Sequence, residues 1–131
     1  MTSTPAGTTA IAGIGQTEFS KESGRSELQL ACEAVSAALD DAGLSPGDVN
    51  GMVTFTMDSS DEIDVARNVG IGDLSFFSRV PHGGGAAAGT IAHAAVAVAA
   101  GVADVDVVPL QGGGAGFGDR HGRPSGYVLP R

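Results

Sequence analysis

Apolar residues along this chain fall into short continuous runs that alternate with repeats at helical spacing. Thr8-Thr9-Ala10-Ile11-Ala12-Gly13-Ile14-Gly15 is an apolar run closed by glycine, the pattern of a buried first strand. The polar stretch Gln16 to Arg25 reads as a loop. Ser26 followed by Gln29 is a capping-box signature, and Leu28, Ala31, Cys32, Val35, Ala38, Leu39 and Ala42 then recur at helical spacing up to Gly43. Ser45-Pro46-Gly47-Asp48 predicts a turn, with Pro46 opening a single helical turn. Gly51 to Thr56 predicts a second buried strand. Ser59 or Ser60 is placed to cap a second helix through Asp61, Glu62, Ile63, Val65 and Ala66, ending at Gly70. Leu74 to Val80 predicts a third strand whose neighbours Phe76 and Phe77 face opposite ways.

The stretch from Arg79 to Asp104 carries the strongest pointer to function. A strand end leads through Pro81 and His82 into the glycine corner Gly83-Gly84-Gly85, and then into a helix almost without polar residues. Backbone N–H groups at such a helix start favour an anionic or polarised ligand, and the helix itself demands cover on all sides. Val102 to Val108 predicts a fourth strand, interrupted by Asp106 and stopped by Pro109. Strands alternating with helices in this way require parallel pairing through right-handed crossovers, so the fold class is α/β with a mostly parallel β-α-β-α-β-α-β sheet. Pro109 to Arg131 holds seven glycines, three prolines and three arginines without periodicity, and reads as an irregular, disordered tail.

Several familiar chemistries are absent. Gly13-Ile14-Gly15 follows a strand, but the third glycine of a dinucleotide fingerprint would fall on Glu18, and no P-loop pattern occurs. A tight turn leaving the strand accounts for Gly13 and Gly15. Cys32 lies on the apolar face of the first helix beside Leu28 and Val35, where a thiol behaves as a small hydrophobe. His93, inside the Ala-rich helix, reads as a core or packing histidine, whereas His82 on the glycine corner is placed to face a ligand or to be an ordinary loop residue. With His121 in the tail, the histidines have no metal-ligand spacing, so no metal is expected. Asp58, Asp61, Glu62 and Asp64 read as a solvated acidic loop at a helix start. Gly85-Ala86-Ala87-Ala88-Gly89 has small-residue spacing that lets another backbone approach.

Composition narrows the remainder. At 131 residues the chain is one domain by length, and 42% hydrophobic content with 5% aromatics means a core of Ala, Val, Ile and Leu. A formal charge of −8 argues against a nucleic-acid surface. The single Cys32 excludes an internal disulfide, and no secretory n-region opens the chain, so a cytoplasmic location is the default. Ala86 to Ala100 falls short of the roughly 20 apolar residues that a membrane span needs.

Taken together, several blocks resemble the N-terminal half of the thiolase superfamily, above all the thiolase-like lipid-transfer proteins that act as aldolases in bacterial steroid side-chain degradation. They are Ile11-Ala12-Gly13-Ile14-Gly15-Gln16-Thr17-Glu18-Phe19-Ser20, Gly24-Arg25-Ser26-Glu27-Leu28, Leu39-Asp40-Asp41-Ala42-Gly43-Leu44-Ser45-Pro46, Thr54-Phe55-Thr56-Met57-Asp58, and Gly70-Ile71-Gly72 through Gly101-Val102-Ala103-Asp104-Val105. The resemblance implies a layered α/β/α/β/α enzyme in which the third helix lies between two sheets. It divides the chain into a thiolase-like but incomplete N-terminal domain over residues 1–108 and the irregular tail over 109–131.

The family's nucleophilic cysteine would fall at about Gly84, so the resemblance leaves no thiol for acyl-cysteine chemistry. The steroid-degrading relatives also lack it and cleave a β-hydroxyacyl-CoA by retro-aldol chemistry. On that reading His82, Gly83, Gly84, Gly85 and Ala86 line a thioester site, with acyl-CoA as substrate, no other cofactor, and no catalytic acid or base assigned. The resemblance further implies a homodimer along the third strand through Leu74, Phe76, Phe77 and Arg79, and an OB-fold, zinc-containing partner protein. Relatives continue past Asp104-Val105 with a different segment and a catalytic second half, so the expectation is a truncated or frame-shifted chain, inactive alone. Its third helix would then be covered on one side only, favouring association. The alternative is a non-catalytic acyl-CoA, lipid-binding or dimerisation module. A nucleotide-binding domain is disfavoured by the failed fingerprint.

Overall fold

The computed structural model describes residues 6–18, 24–55, 60–81, 88–110 and 125–130. Its strands are β1 (Gly13–Gln16), β2 (Gly51–Phe55), β3 (Phe76–Val80), β4 (Val105–Leu110) and β5 (Ser125–Pro130), and its helices are α1 (Glu27–Ala42), α2 (Glu62–Val69) and α3 (Gly89–Ala99). One sheet has the order β1-β5-β4-β2-β3. The β3-β2-β4 portion is parallel, as crossover helices require, whereas β5 runs antiparallel to both β1 and β4.

Helix α1 forms where its apolar repeat predicts. The Ser26 hydroxyl accepts from the Gln29 N–H at 3.1 Å, but the Gln29 side chain reaches forward to Glu33 instead of back, so only half of the capping box is made. Gly43 closes the helix in the left-handed region at φ 71°, where glycine carries no Cβ penalty. The N-cap position of α2 is held by Asp61, whose side chain accepts from Arg79 and makes no capping hydrogen bond; Ser60 is buried one residue earlier, and Ser59 lies outside the described residues. A 3-10 turn at Pro46–Asp48 matches the single turn expected there.

The sheet separates two cores. On one face Val35, Leu39, Met52, Val65, Val107 and Val128 join α1 and α2 to the strands. On the other, Val53, Val80, Ala94 and Val108 join α3, with Ala97, Val98 and Ala103 completing the cover at the far end of the helix. Only one side of α3 is buried, through Thr90, Ala94, Ala97 and Val98, while Val96 is 54% exposed.

Four expectations change. The fourth strand is neither interrupted at Asp106 nor stopped at Pro109: β4 runs through both to Leu110. Glycine at Gly51, in register with Asp106, leaves room for the aspartate, because a Cβ there would stand 2.9 Å from Asp106 Cγ. The ladder with β2 ends at Val107, so Pro109 lies beyond the stretch paired on both sides. Within the stretch read as an irregular tail, residues 125–130 form β5, whose register puts Val128 opposite both Gly13 and Val107. Six residues are too few to show a convincing alternation, and the neighbours on both sides supply the order.

The third change concerns Gly13 and Gly15, which do not mark a turn. They lie in β1 beneath α1, where a Cβ would stand 2.1 Å from Ala38 O and 2.3 Å from Ala34 O respectively. The fourth concerns Gly89, where a Cβ would meet only an ordinary contact at 3.5 Å from Val80, so close backbone approach is not what places glycine there. Gly85 lies outside the described residues.

Candidate functional site

Leaving β2, the chain crosses to β3 through α2 on one face, and it then crosses to β4 through α3 on the other. The sheet therefore reverses its winding at β2, and the crevice outside the carboxyl ends of β2 and β4 is the topological switch point where α/β sheets bind ligands. His82, Gly83, Gly84, Gly85 and Ala86, the expected thioester loop, lie outside the described residues.

Beside the carboxyl ends stands a polar cluster in which Thr54 and Glu62 are buried and Arg79 and Asp61 reach solvent. Glu62 begins α2 on its inward side, and its Oε1 accepts from the Thr54 hydroxyl at 2.6 Å. Arg79 grips the same carboxylate as a fork, Nε to Oε1 at 3.1 Å and Nη2 to Oε2 at 2.9 Å, and also reaches Asp61 at 2.6 Å. Burial pushes the Glu62 carboxyl up, but the hydrogen bonds from Arg79 and Thr54 and the charge of Arg79 outweigh it, holding the group below the usual carboxylate range. The hydrogen bonds to Glu62 and then Asp61 push Arg79 further up, so this guanidinium stays charged. The cluster ties α2 to β2 and β3 and fixes the strand ends from which the loops depart.

Glu62 is therefore no part of a solvated acidic loop, whereas Asp61 and Asp64 are exposed and Asp58 lies outside the described residues. The signal was present in the sequence: Glu62 shares its helical face with Val65 and Ala66, the buried side of α2. Among the described residues no group of His, Cys, Asp and Glu is arranged to hold a metal ion, and no helix is long and apolar enough to cross a membrane.

The other singled-out residues separate. Cys32 is half-buried on α1 against the core, and burial first, then the charge of Glu33, pushes its thiol up, away from nucleophile behaviour. His93 is exposed and not in the core; its Nδ1 lies 3.0 Å from the Ser78 hydroxyl, joining α3 to β3. Phe76 packs inward against α3, Leu74 packs inward against the α1 and α2 core, and Phe77 is 67% exposed on the edge strand β3. On the outer side of α3 an apolar groove of about 410 Å³ runs between Phe76, His93, Val96 and Val102.

Relatives place this geometry. The chain is 71% identical over 101 residues to a steroid side-chain-cleaving aldolase of Thermomonospora curvata, covering 77% of this chain and 26% of that protein. It is 59% identical over 125 residues to a 17-hydroxy-3-oxo-4-pregnene-20-carboxyl-CoA lyase of Mycobacterium tuberculosis, covering 95% and 31%. A monomeric SCP2-thiolase-like protein from Mycobacterium smegmatis superposes with a TM-score of 0.66 at 29% identity, over 79% of this chain and 23% of that one. The chain is a partial homologue of the thiolase-like aldolases.

A solved Ltp2-ChsH2(DUF35) aldolase matches this thiolase-like chain at a TM-score of 0.76 and 64% identity, over 84% of this chain and 30% of that one. No protein-family model matches the thiolase-like segment. It spans between a quarter and a third of the curated relatives' length.

Proposed function

We propose that this chain supplies part of a lyase that cleaves a steroid-type β-hydroxyacyl-CoA by retro-aldol chemistry. The 71% and 59% identity to a steroid side-chain-cleaving aldolase and a 17-hydroxy-3-oxo-4-pregnene-20-carboxyl-CoA lyase is the observation that carries the reading. In such a step a base takes the β-hydroxyl proton, the bond between the α and β carbons breaks, and its electron pair passes into the thioester enolate. A ketone leaves, and protonation of the enolate gives a shorter acyl-CoA. The sole cysteine, raised in pKa and packed on α1, supports a route without an acyl-cysteine. On this reading backbone donors in residues 82–86 polarise the thioester carbonyl, the Glu62–Arg79 cluster steadies the strand ends beside them, and the complementary acid and base come from outside this chain. A second protein completes the enzyme, in keeping with the two-component name of the Ltp2-ChsH2(DUF35) aldolase.

The test incubates the chain with a steroid β-hydroxyacyl-CoA, with and without an OB-fold partner protein. Release of a short acyl-CoA when the partner is present, together with amide-signal changes confined to residues 82–87, is the expected result. No release and no signal change overturns it; signal changes without release leave the non-catalytic acyl-CoA-binding module instead.

The edge strand favours self-association. Among the described residues β3 has a strand neighbour on one side only, and it presents Phe77 to solvent. We propose that two copies meet along β3, with Arg79 on the same face as Phe77 and with Leu74 and Phe76 packed inward. Phe77→Glu is expected to weaken dimerisation by about 10- to 100-fold in sedimentation equilibrium, the worth of one buried aromatic. A wild-type chain that is monomeric at every concentration overturns this.

A further inference from the structure

Far from the carboxyl ends, at the corner where α3 returns into β4, the fold buries a carboxyl group. Asp106 is 0% exposed, and both side-chain oxygens lack a hydrogen-bond partner among the described residues. It sits mid-ladder opposite Gly51 and under Ala103, itself buried. Among the described residues no cation balances it. β2 contributes no ionisable side chain, and α3 contributes only His93, which is exposed and bonded to Ser78. In sequence β5 holds one ionisable residue, Tyr127, whose backbone is in register with Val108. Arg79 and Glu62 lie on the opposite face of the sheet, and Asp104 beside the corner is acidic. Burial alone pushes the Asp106 carboxyl up to about 7.

The corner around it is light. The Gly101, Val102 and Ala103 N–H groups return to the last turn of α3, and Asn50 latches the strand start by accepting from the Asp104 N–H at 2.8 Å and the Val105 N–H at 3.3 Å. Val102 is 49% exposed and lines the outer groove of α3.

We propose that Asp106 is a proton-operated latch: with its carboxyl neutral the α3–β4 corner stays closed, and with its carboxyl ionised the corner opens and widens the groove beside Val102.

The sign follows from linkage. A carboxyl raised in the folded state contributes stability that is fully present below its unfolded pKa of about 4, and that stability is lost as pH rises through the folded value. The experiment measures urea unfolding of the intact chain and of Asp106→Asn from pH 5 to pH 8. The wild-type unfolding constant, divided by that of the variant to cancel other groups, is expected to rise about 100-fold across this range. Over the same range, hydrogen-exchange protection at Val102 and Ala103 falls in the wild type and not in Asp106→Asn. A ratio that stays flat, or a corner whose protection ignores pH, overturns the latch. Should Asp106→Asn not fold, a carboxyl-carbon NMR titration of the wild type decides: an Asp106 midpoint at the ordinary value near 4 overturns the proposal, and one near neutrality upholds it.

Discussion

Gly15→Ala is expected to unfold the layer of α1 against β1. The added Cβ would stand 2.3 Å from Ala34 O, 2.4 Å from Ala38 N and 2.8 Å from Ala37 Cβ. Two of these three atoms are helix backbone, which cannot turn aside as a flexible side chain can, so the helix has to lift off the strand. Ordinary overpacking costs about 1–3 kcal/mol; here the displaced body is α1, whose inward residues Ala31, Ala34, Val35, Ala38 and Leu39 are all buried, and about 4 kcal/mol or more is expected. Gly72→Ala is the control, because a Cβ there meets nothing within 4 Å, and its effect should stay within about 0.5 kcal/mol. Urea midpoints of the two variants provide the comparison. Equal midpoints would mean that α1 does not rest on Gly15.

Arg79→Met is expected to leave the Glu62 carboxylate buried with the Thr54 hydroxyl and its own backbone N–H as remaining hydrogen-bond donors. Breaking a buried ion pair from one side costs about 3–5 kcal/mol, but Arg79 keeps 39% of its side chain in water, so about 2 kcal/mol is the expected loss. Adding Glu62→Met should recover most of it, because the double variant buries no uncompensated charge. The pH dependence has the opposite sense to that at Asp106. A carboxyl lowered in the folded state contributes stability above its unfolded value near 4 that is lost as pH falls through the folded one. The gap between wild type and Arg79→Met should accordingly be widest near neutral pH and close in acid. A gap independent of pH, or a double variant no better than the single one, would count against the cluster.

Much of the architecture was legible from periodicity. α1 could be read from Ser26 to Gly43 because cap, apolar repeat and C-terminal glycine agree, and the parallel β2–β3–β4 core followed from the alternation of strands and helices. What escaped depends on neighbours distant in sequence. β5 owes its order to β1 and β4, whose partners in register no local window contains. Gly13 and Gly15 looked like turn residues because only the packed helix shows why a side chain is excluded. Asp106 and Pro109 looked like strand breakers because Gly51 and the end of the β2 ladder, which accommodate them, are matters of register. Of the candidate site, the opposite facing of Phe76 and Phe77 was readable from period two, whereas which of them packs inward, the edge position of β3 and the grip of Arg79 on Glu62, 17 positions away, depend on the folded neighbours.

The placement of β5 also bears on how the chain becomes ordered in time. Among the described residues β1 touches the sheet only through β5, so Gln16 must find Ser125, more than a hundred positions away. During synthesis the parallel β2–β3 pair, with α2 between its strands, can assemble early. The N-terminal strand has no seat in the sheet until residues 125–130 have left the ribosome. Closure over so long a span is slow, and a nascent chain of this kind keeps β1 without a strand partner while it waits. The strand made first is thus among the last to be secured, and whatever guards it in the interval governs how much of the product survives.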